Sequence, residues 1–130
     1  MRSSRYAAGA LLAIVLLVSC SPQEAVYADR PFCSGTRGLT VSAGTMPTID
    51  WTGGCRVWSL VVERMDPREV MWQVGEDDES LDGPVVYGQM PPGAGQMAPA
   101  RPLQPGVEYR AVLVQRSEGG RVIAETRFTP

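Results

Sequence analysis

The chain has 130 residues, with 14 acids, 12 arginines and no His, Lys or Asn. A formal charge of −2 offers no basic face to nucleic-acid phosphates, so nucleic-acid binding is not expected. Without His the commonest general base and metal ligand is missing, and without Lys a Ser–Lys pair is impossible; no enzyme is expected.

The amino-terminal stretch reads as a targeting segment. Arg2 and Arg5 stand among the first five residues with no acid, and Tyr6 to Val18 is an uninterrupted run of apolar and small residues. That run is 13 residues long (18 − 6 + 1), short of the about 20 a membrane-spanning helix needs. It suits the apolar region of a signal peptide. Leu17-Val18-Ser19-Cys20 follows directly and resembles the bacterial lipobox. The resemblance implies a diacylglyceryl thioether on Cys20, cleavage before it, and attachment to a lipid bilayer through the acylated cysteine. No cofactor other than that covalent lipid is expected.

Residues 1–19 are then a lipoprotein signal peptide, 20–31 a lipidated tether and 32–130 one domain. Removing Arg2 and Arg5 leaves 10 arginines against 14 acids, or 10 − 14 = −4. Ser21 stands where enteric lipoproteins retained at the inner membrane carry Asp. An envelope location is therefore expected, at the outer membrane if the cell has two.

Cys33 and Cys55 remain as thiols in an oxidising compartment, where such pairs become disulfides. Their spacing is not C-x-x-C, and no further ligands accompany them, so neither a redox nor a metal pair is indicated.

Beyond the tether, short apolar runs punctuated by Gly, Pro and Asp read as strands with period 2. Leu39–Val41 and Thr48–Trp51 come first, then Thr52-Gly53-Gly54 as a turn. Arg56–Arg64 follows, with Trp58, Leu60 and Val62 on one face. Val70–Val74 sets Val70, Trp72 and Val74 on one face. Val85–Tyr87 is short. Glu108–Val114 and Arg121–Phe128 make a hairpin around Ser117-Glu118-Gly119-Gly120, with Val122, Ala124, Thr126 and Phe128 facing one way. The three tryptophans, Trp51, Trp58 and Trp72, are expected in the core; Tyr27 and Tyr87 are expected to be freer.

Leu103-Gln104-Pro105-Gly106-Val107-Glu108-Tyr109 resembles the L-x-P-G-x-x-Y motif that leads into the sixth strand of fibronectin type III domains. Trp51 stands where that family places an early core tryptophan. The resemblance covers about residues 46–130 and implies an all-β, immunoglobulin/fibronectin type III-like antiparallel sandwich with Tyr109 as its corner tyrosine. Pro105-Gly106 suits a type II turn, Gly supplying the positive φ.

Two stretches carry candidate chemistry. Gly75–Gly83 contains Asp77, Asp78, Glu79 and Asp82, oxygen donors of the kind Ca²⁺ takes. Consecutive acids point in different directions, and a solvated loop is the simpler reading. Gly88–Gly106 carries five prolines and Met90 and Met97, thioethers of the kind Cu⁺ takes. Its prolines make it a connection outside any sheet, and its length makes it the first place to look for a binding surface. The expected function is an envelope lipoprotein whose sandwich docks a protein or polymer. The alternative is a small-ligand or metal (Ca²⁺ or Cu⁺) binder using these two loops.

Overall fold

A computed structural model describes residues 29–34, 38–116 and 119–130. The expected signal peptide, Cys20, Tyr27 and most of the expected tether lie outside the described residues, as do Ser117 and Glu118.

Among the described residues eight strands form in chain order: β1 (Leu39–Val41), β2 (Thr48–Trp51), β3 (Ser59–Arg64), β4 (Glu69–Gly75), β5 (Val85–Val86), β6 (Gly95–Ala98), β7 (Tyr109–Gln115) and β8 (Arg121–Phe128). They make a three-stranded sheet, β1-β2-β5, and a five-stranded sheet, β6-β4-β3-β7-β8. Every pairing is antiparallel. The fold is the expected all-β antiparallel sandwich.

The alternation of apolar and polar residues sets which face of each strand turns inward. Leu39, Ile49, Trp51 and Val85 of the smaller sheet share one buried cluster with Leu60, Val62, Trp72, Val74, Ala111 and Leu113 of the larger. Register aligns these residues across strands, Leu60 opposite both Val74 and Leu113, and Val62 opposite both Trp72 and Ala111. Each fully buried side chain of this kind contributes about 2 kcal/mol.

In β4 and in β8, period 2 fails at a bulge. Val62 pairs with Trp72 but Glu63 pairs with Val70, leaving Met71 without an opposite number. The extra residue reverses the parity, so Met71 is buried and Val70, expected inside, is exposed. At the other bulge Leu113 pairs with Ala124 and Val114 with Val122, so Ile123 is the extra residue. Ile123 is buried and Val122 exposed. A bulge puts two residues opposite one and re-aims the side chains before it, so both assignments inverted for the same reason.

A third departure lies in the Gly88–Gly106 stretch, expected to stay outside any sheet. Its residues 93–98 contain no proline, so their backbone N–H groups are available. Gly95–Ala98 pairs with β4 as the outermost strand of the larger sheet. Proline excludes itself from a ladder, and here Pro92 and Pro99 bracket the strand without preventing it.

At the carboxy-terminal end the Pro105-Gly106 turn forms as the motif requires. The Val107 N–H donates to the Gln104 carbonyl (3.3 Å), and Gly106 has φ 77°, the positive value a type II turn needs. Tyr109 is buried, and its hydroxyl oxygen accepts the Gln104 N–H at 2.9 Å. A tyrosine bonded to backbone a few residues upstream pins this turn to the sheet.

Candidate functional site

A densely bonded region is the pole of the sandwich where the amino-terminal arm, residues 29–34, meets the sheets. Cys33 and Cys55 form a disulfide with their Cα atoms 4.9 Å apart. Around it the arm is fixed by polar contacts. The Arg56 N–H donates to the Pro31 carbonyl (3.0 Å) and the Arg56 side chain to the Arg30 carbonyl (2.8 Å). The Cys33 N–H donates to the buried Gln115 side chain at 3.1 Å. Arg30 grips Asp82 with two 2.7 Å bonds, which raise the Arg30 pKa above its ordinary value. Arg30 and Pro31, read from sequence as tether, are thus bound to the domain. Phe32 is exposed, with the Arg56 guanidinium 4.7 Å above its ring.

The acidic segment Gly75–Gly83 belongs to the same pole, and its acids disperse. Asp77 pairs with Arg116 at 3.0 Å, Glu79 with Arg56 at 3.8 Å and Asp82 with Arg30. Asp78 accepts the Ser80 N–H at 3.1 Å, and Glu76 accepts the Ser80 hydroxyl. Among the described residues no group of three or more His, Cys, Asp or Glu side chains is arranged to hold a metal. Glu79 corrects the picture of a solvated loop: it is 2 % exposed. Its φ is 61°, its carboxylate accepts the Arg116 N–H at 2.7 Å, and its own carbonyl accepts the Val57 N–H. A buried charge requires such partners. Glu79 is a tie between the loop and two strands.

Met90 and Met97 are both exposed. Met97 is the bulged residue of β6, since Gln73 pairs with Ala98 and Val74 with Gln96. Its methyl lies so close over Gly75 that a Cβ there would stand 2.8 Å away.

Two aromatic assignments also change. Trp58 is half-buried outside the core cluster, under the Arg116 guanidinium at 4.9 Å, while Val57 is buried. Val57 precedes the sheet and bridges to Ser80 instead, so the parity of β3 does not extend back to Trp58. Tyr87, expected to be free, is buried edge-on to Trp72 with ring centres 5.2 Å apart. Its hydroxyl donates to the Arg101 carbonyl at 2.6 Å. Burial pushes its pKa up to about 12.

No family model, no curated protein and no solved structure matches this chain.

Recesses open on the surface of the described residues. One of about 330 Å³, at the pole opposite the disulfide, is lined chiefly by Met46, Tyr87, Pro102 and Leu103, with Met46 itself exposed. A second, about 380 Å³, lies beside Thr40, Asp50 and Trp51 on the smaller sheet. A third, about 680 Å³, runs between Glu76–Asp78, which follow β4, and Gly93–Met97, which lead into and form β6. Sequence reasoning named both borders of this groove separately. It did not join them, because the joining element is a strand that the surrounding prolines conceal.

Across the outer face of the larger sheet the long charged side chains pair with one another. Arg110 binds Glu63 at 2.7 Å and Glu125 at 3.1 Å. The bond to Glu63 raises the Arg110 pKa. Arg101 hydrogen-bonds Glu69 and holds its carboxyl below the usual carboxylate range. These pairs link the charged side chains of this face to one another.

Proposed function

We propose that the chain is a cell-envelope lipoprotein, anchored through an acylated Cys20, whose β-sandwich docks another protein of the envelope. The observation that carries this reading is the fixed arm. The disulfide, the Arg30–Asp82 pair and the Arg56–Pro31 bond lock the point where the chain leaves the domain at one pole. Upstream of Asp29, only Ser21 to Ala28 separate the domain from Cys20. Eight residues (28 − 21 + 1) reach at most about 28 Å at ~3.5 Å each.

Such a short link turns the disulfide pole toward the bilayer and presents the opposite pole and the flanks to the envelope space. Covalent lipid supplies the affinity: one acyl chain holds marginally, while two or more hold firmly. The acids of Gly75–Gly83 already engage Arg30, Arg56, Arg116 and Ser80, which favours a protein-docking role over a metal-binding one.

The test is acyl labelling and fractionation of the exported chain beside its Cys20→Ala variant, followed by crosslinking from the intact envelope. Label and membrane retention lost in Cys20→Ala, with a stoichiometric crosslinked protein that needs the anchor, support the reading. Unchanged membrane retention without Cys20 overturns the anchor, and no crosslinked protein beside well-expressed bait overturns the docking role.

A further inference from the structure

We propose that the disulfide pole rests on the bilayer, with the exposed ring of Phe32 set among zwitterionic lipid headgroups and the guanidinium beside it reaching their phosphates. This rests on the lipoprotein reading above and deepens it by naming the residues that meet the membrane and the lipid chemistry they fit.

Phe32 is the one aromatic among the exposed large apolar side chains of the described residues, at 56 % exposure. Its backbone is held on both sides. The Pro31 carbonyl before it accepts the Arg56 N–H, and Cys33 after it is tied to Cys55 and donates its N–H to Gln115. The ring therefore stands out of the pole at a fixed place, with the Arg56 guanidinium 4.7 Å from its centre. A second pair of the same kind lies close by. Arg116 covers the half-buried Trp58 at 4.9 Å. The Glu79 carboxylate joins the two pairs, one oxygen accepting the Arg116 N–H and the other standing 3.8 Å from Arg56 Nη1. An aromatic ring beside an arginine suits a membrane–water boundary, since ring and alkyl stem enter the apolar layer while the charged head stays with the headgroups.

The length of the link says what covers this ring. Only Ser21 to Ala28 separate Asp29 from Cys20, and Phe32 follows Asp29 closely in the fixed arm. Lipid on Cys20 keeps the ring beside the surface, so a contact too weak to recruit the protein by itself becomes intramolecular and persists. The charges of the pole decide which lipid fits. Arg30, Arg56 and Arg116 each face one carboxylate, Asp82, Glu79 and Asp77 respectively. Glu76 and Asp78 accept bonds from Ser80. The described part of the pole thus has no surplus of positive charge to draw anionic lipid, and its paired charges match a headgroup that carries both signs.

Phe32 and Phe128 are the two phenylalanines of the chain. Phe128 packs on Tyr109, ring centres 5.7 Å apart, at the other end of the sandwich, and serves as an internal control. The full chain is produced with fluorine-labelled phenylalanine, purified from membranes, checked by mass for lipid on Cys20 and reconstituted in phosphatidylcholine nanodiscs. Lipid carrying a nitroxide near the headgroup end of its acyl chain should broaden the Phe32 fluorine resonance away and leave that of Phe128 unchanged. Brominated phosphatidylcholine should quench tryptophan emission through Trp58, since Trp51 and Trp72 are buried in the core. That quenching should be lost in Phe32→Ser, whose melting temperature in detergent should not move because the ring is exposed. Both effects should persist at high salt and gain nothing from phosphatidylglycerol. Equal broadening of the two resonances, quenching unchanged in Phe32→Ser, or contact that appears only with phosphatidylglycerol each overturns the seat. A lipidated chain that fails these tests loses the seat and keeps its anchor; a chain with no lipid on Cys20 loses both.

Discussion

Breaking the Cys33–Cys55 bond tests how the amino-terminal arm is tied to the domain. The two residues are 22 apart in sequence, so the bond closes a loop of 23 residues (55 − 33 + 1). In the chain-entropy treatment a loop of that size restricts the unfolded ensemble by about 3.4 kcal/mol at 25 °C. For a domain of about 100 residues the unfolding entropy near the midpoint is about 0.2 kcal/mol per kelvin, so the melting temperature should fall by about 16 °C. Reduction is a cleaner perturbation than substitution, because it leaves both buried sulfurs in place and removes only the bond. The assay is a thermal melt by circular dichroism of the oxidised protein and of protein unfolded, reduced and refolded under reductant. A shift of less than about 5 °C would mean that the reduced unfolded chain keeps the loop closed by other means. Two free thiols in the protein isolated from its own cells would refute the staple itself.

Three further outcomes follow from single contacts. Gly75→Ala should lower the urea midpoint by the equivalent of about 1–3 kcal/mol, because its Cβ would stand 2.6 Å from the Trp58 carbonyl oxygen, a backbone atom that cannot swing away. Glu79→Ala should cost about 2–3 kcal/mol in chemical denaturation by removing the acceptor of the Arg116 N–H and the carboxylate beside Arg56. Glu79→Gly should cost less by about 1 kcal/mol, since glycine takes a positive φ without strain. In an absorbance titration the increment lost in Tyr87→Phe should have its midpoint near pH 12. The raised pKa means that Tyr87 stabilises the fold fully below pH 10 and progressively less as pH rises toward 12; a midpoint near 10 would show its ring open to solvent.

Most of the sandwich was legible because alternation is a local property. Leu60 and Val62 announce an inward face whatever they pack against, and the Pro105-Gly106 turn with Tyr109 could be read as a unit because its geometry is dictated by its own residues. The bulges at Met71 and Ile123 could not be read in this way. Nothing in Val70-Met71-Trp72 or Val122-Ile123-Ala124 distinguishes an extra residue from a paired one, and the choice depends on the partner strand. The strand β6 was hidden for a related reason: Gly-Gln-Met-Ala has little strand character alone, and it forms because β4 offers an edge. The ties of the disulfide pole are non-local in the extreme, Arg30 to Asp82 and Cys33 to Gln115. The acids of Gly75–Gly83 could be seen as a cluster, but not that each had an assigned arginine or serine.

The position of the disulfide also decides how the molecule would carry mechanical load. All of β1 and β2 lies between Cys33 and Cys55, and the two half-cystines are covalently joined. Tension drawn through the amino-terminal arm therefore crosses at the sulfur bridge and enters the chain just before β3, which is flanked on both sides by β4 and β7. The three-residue pairing of β1 with β2, a ladder that would peel open one bond at a time, is bypassed. Tension on the arm is taken up by the middle strand of the five-stranded sheet, and the short β1–β2 ladder stays slack.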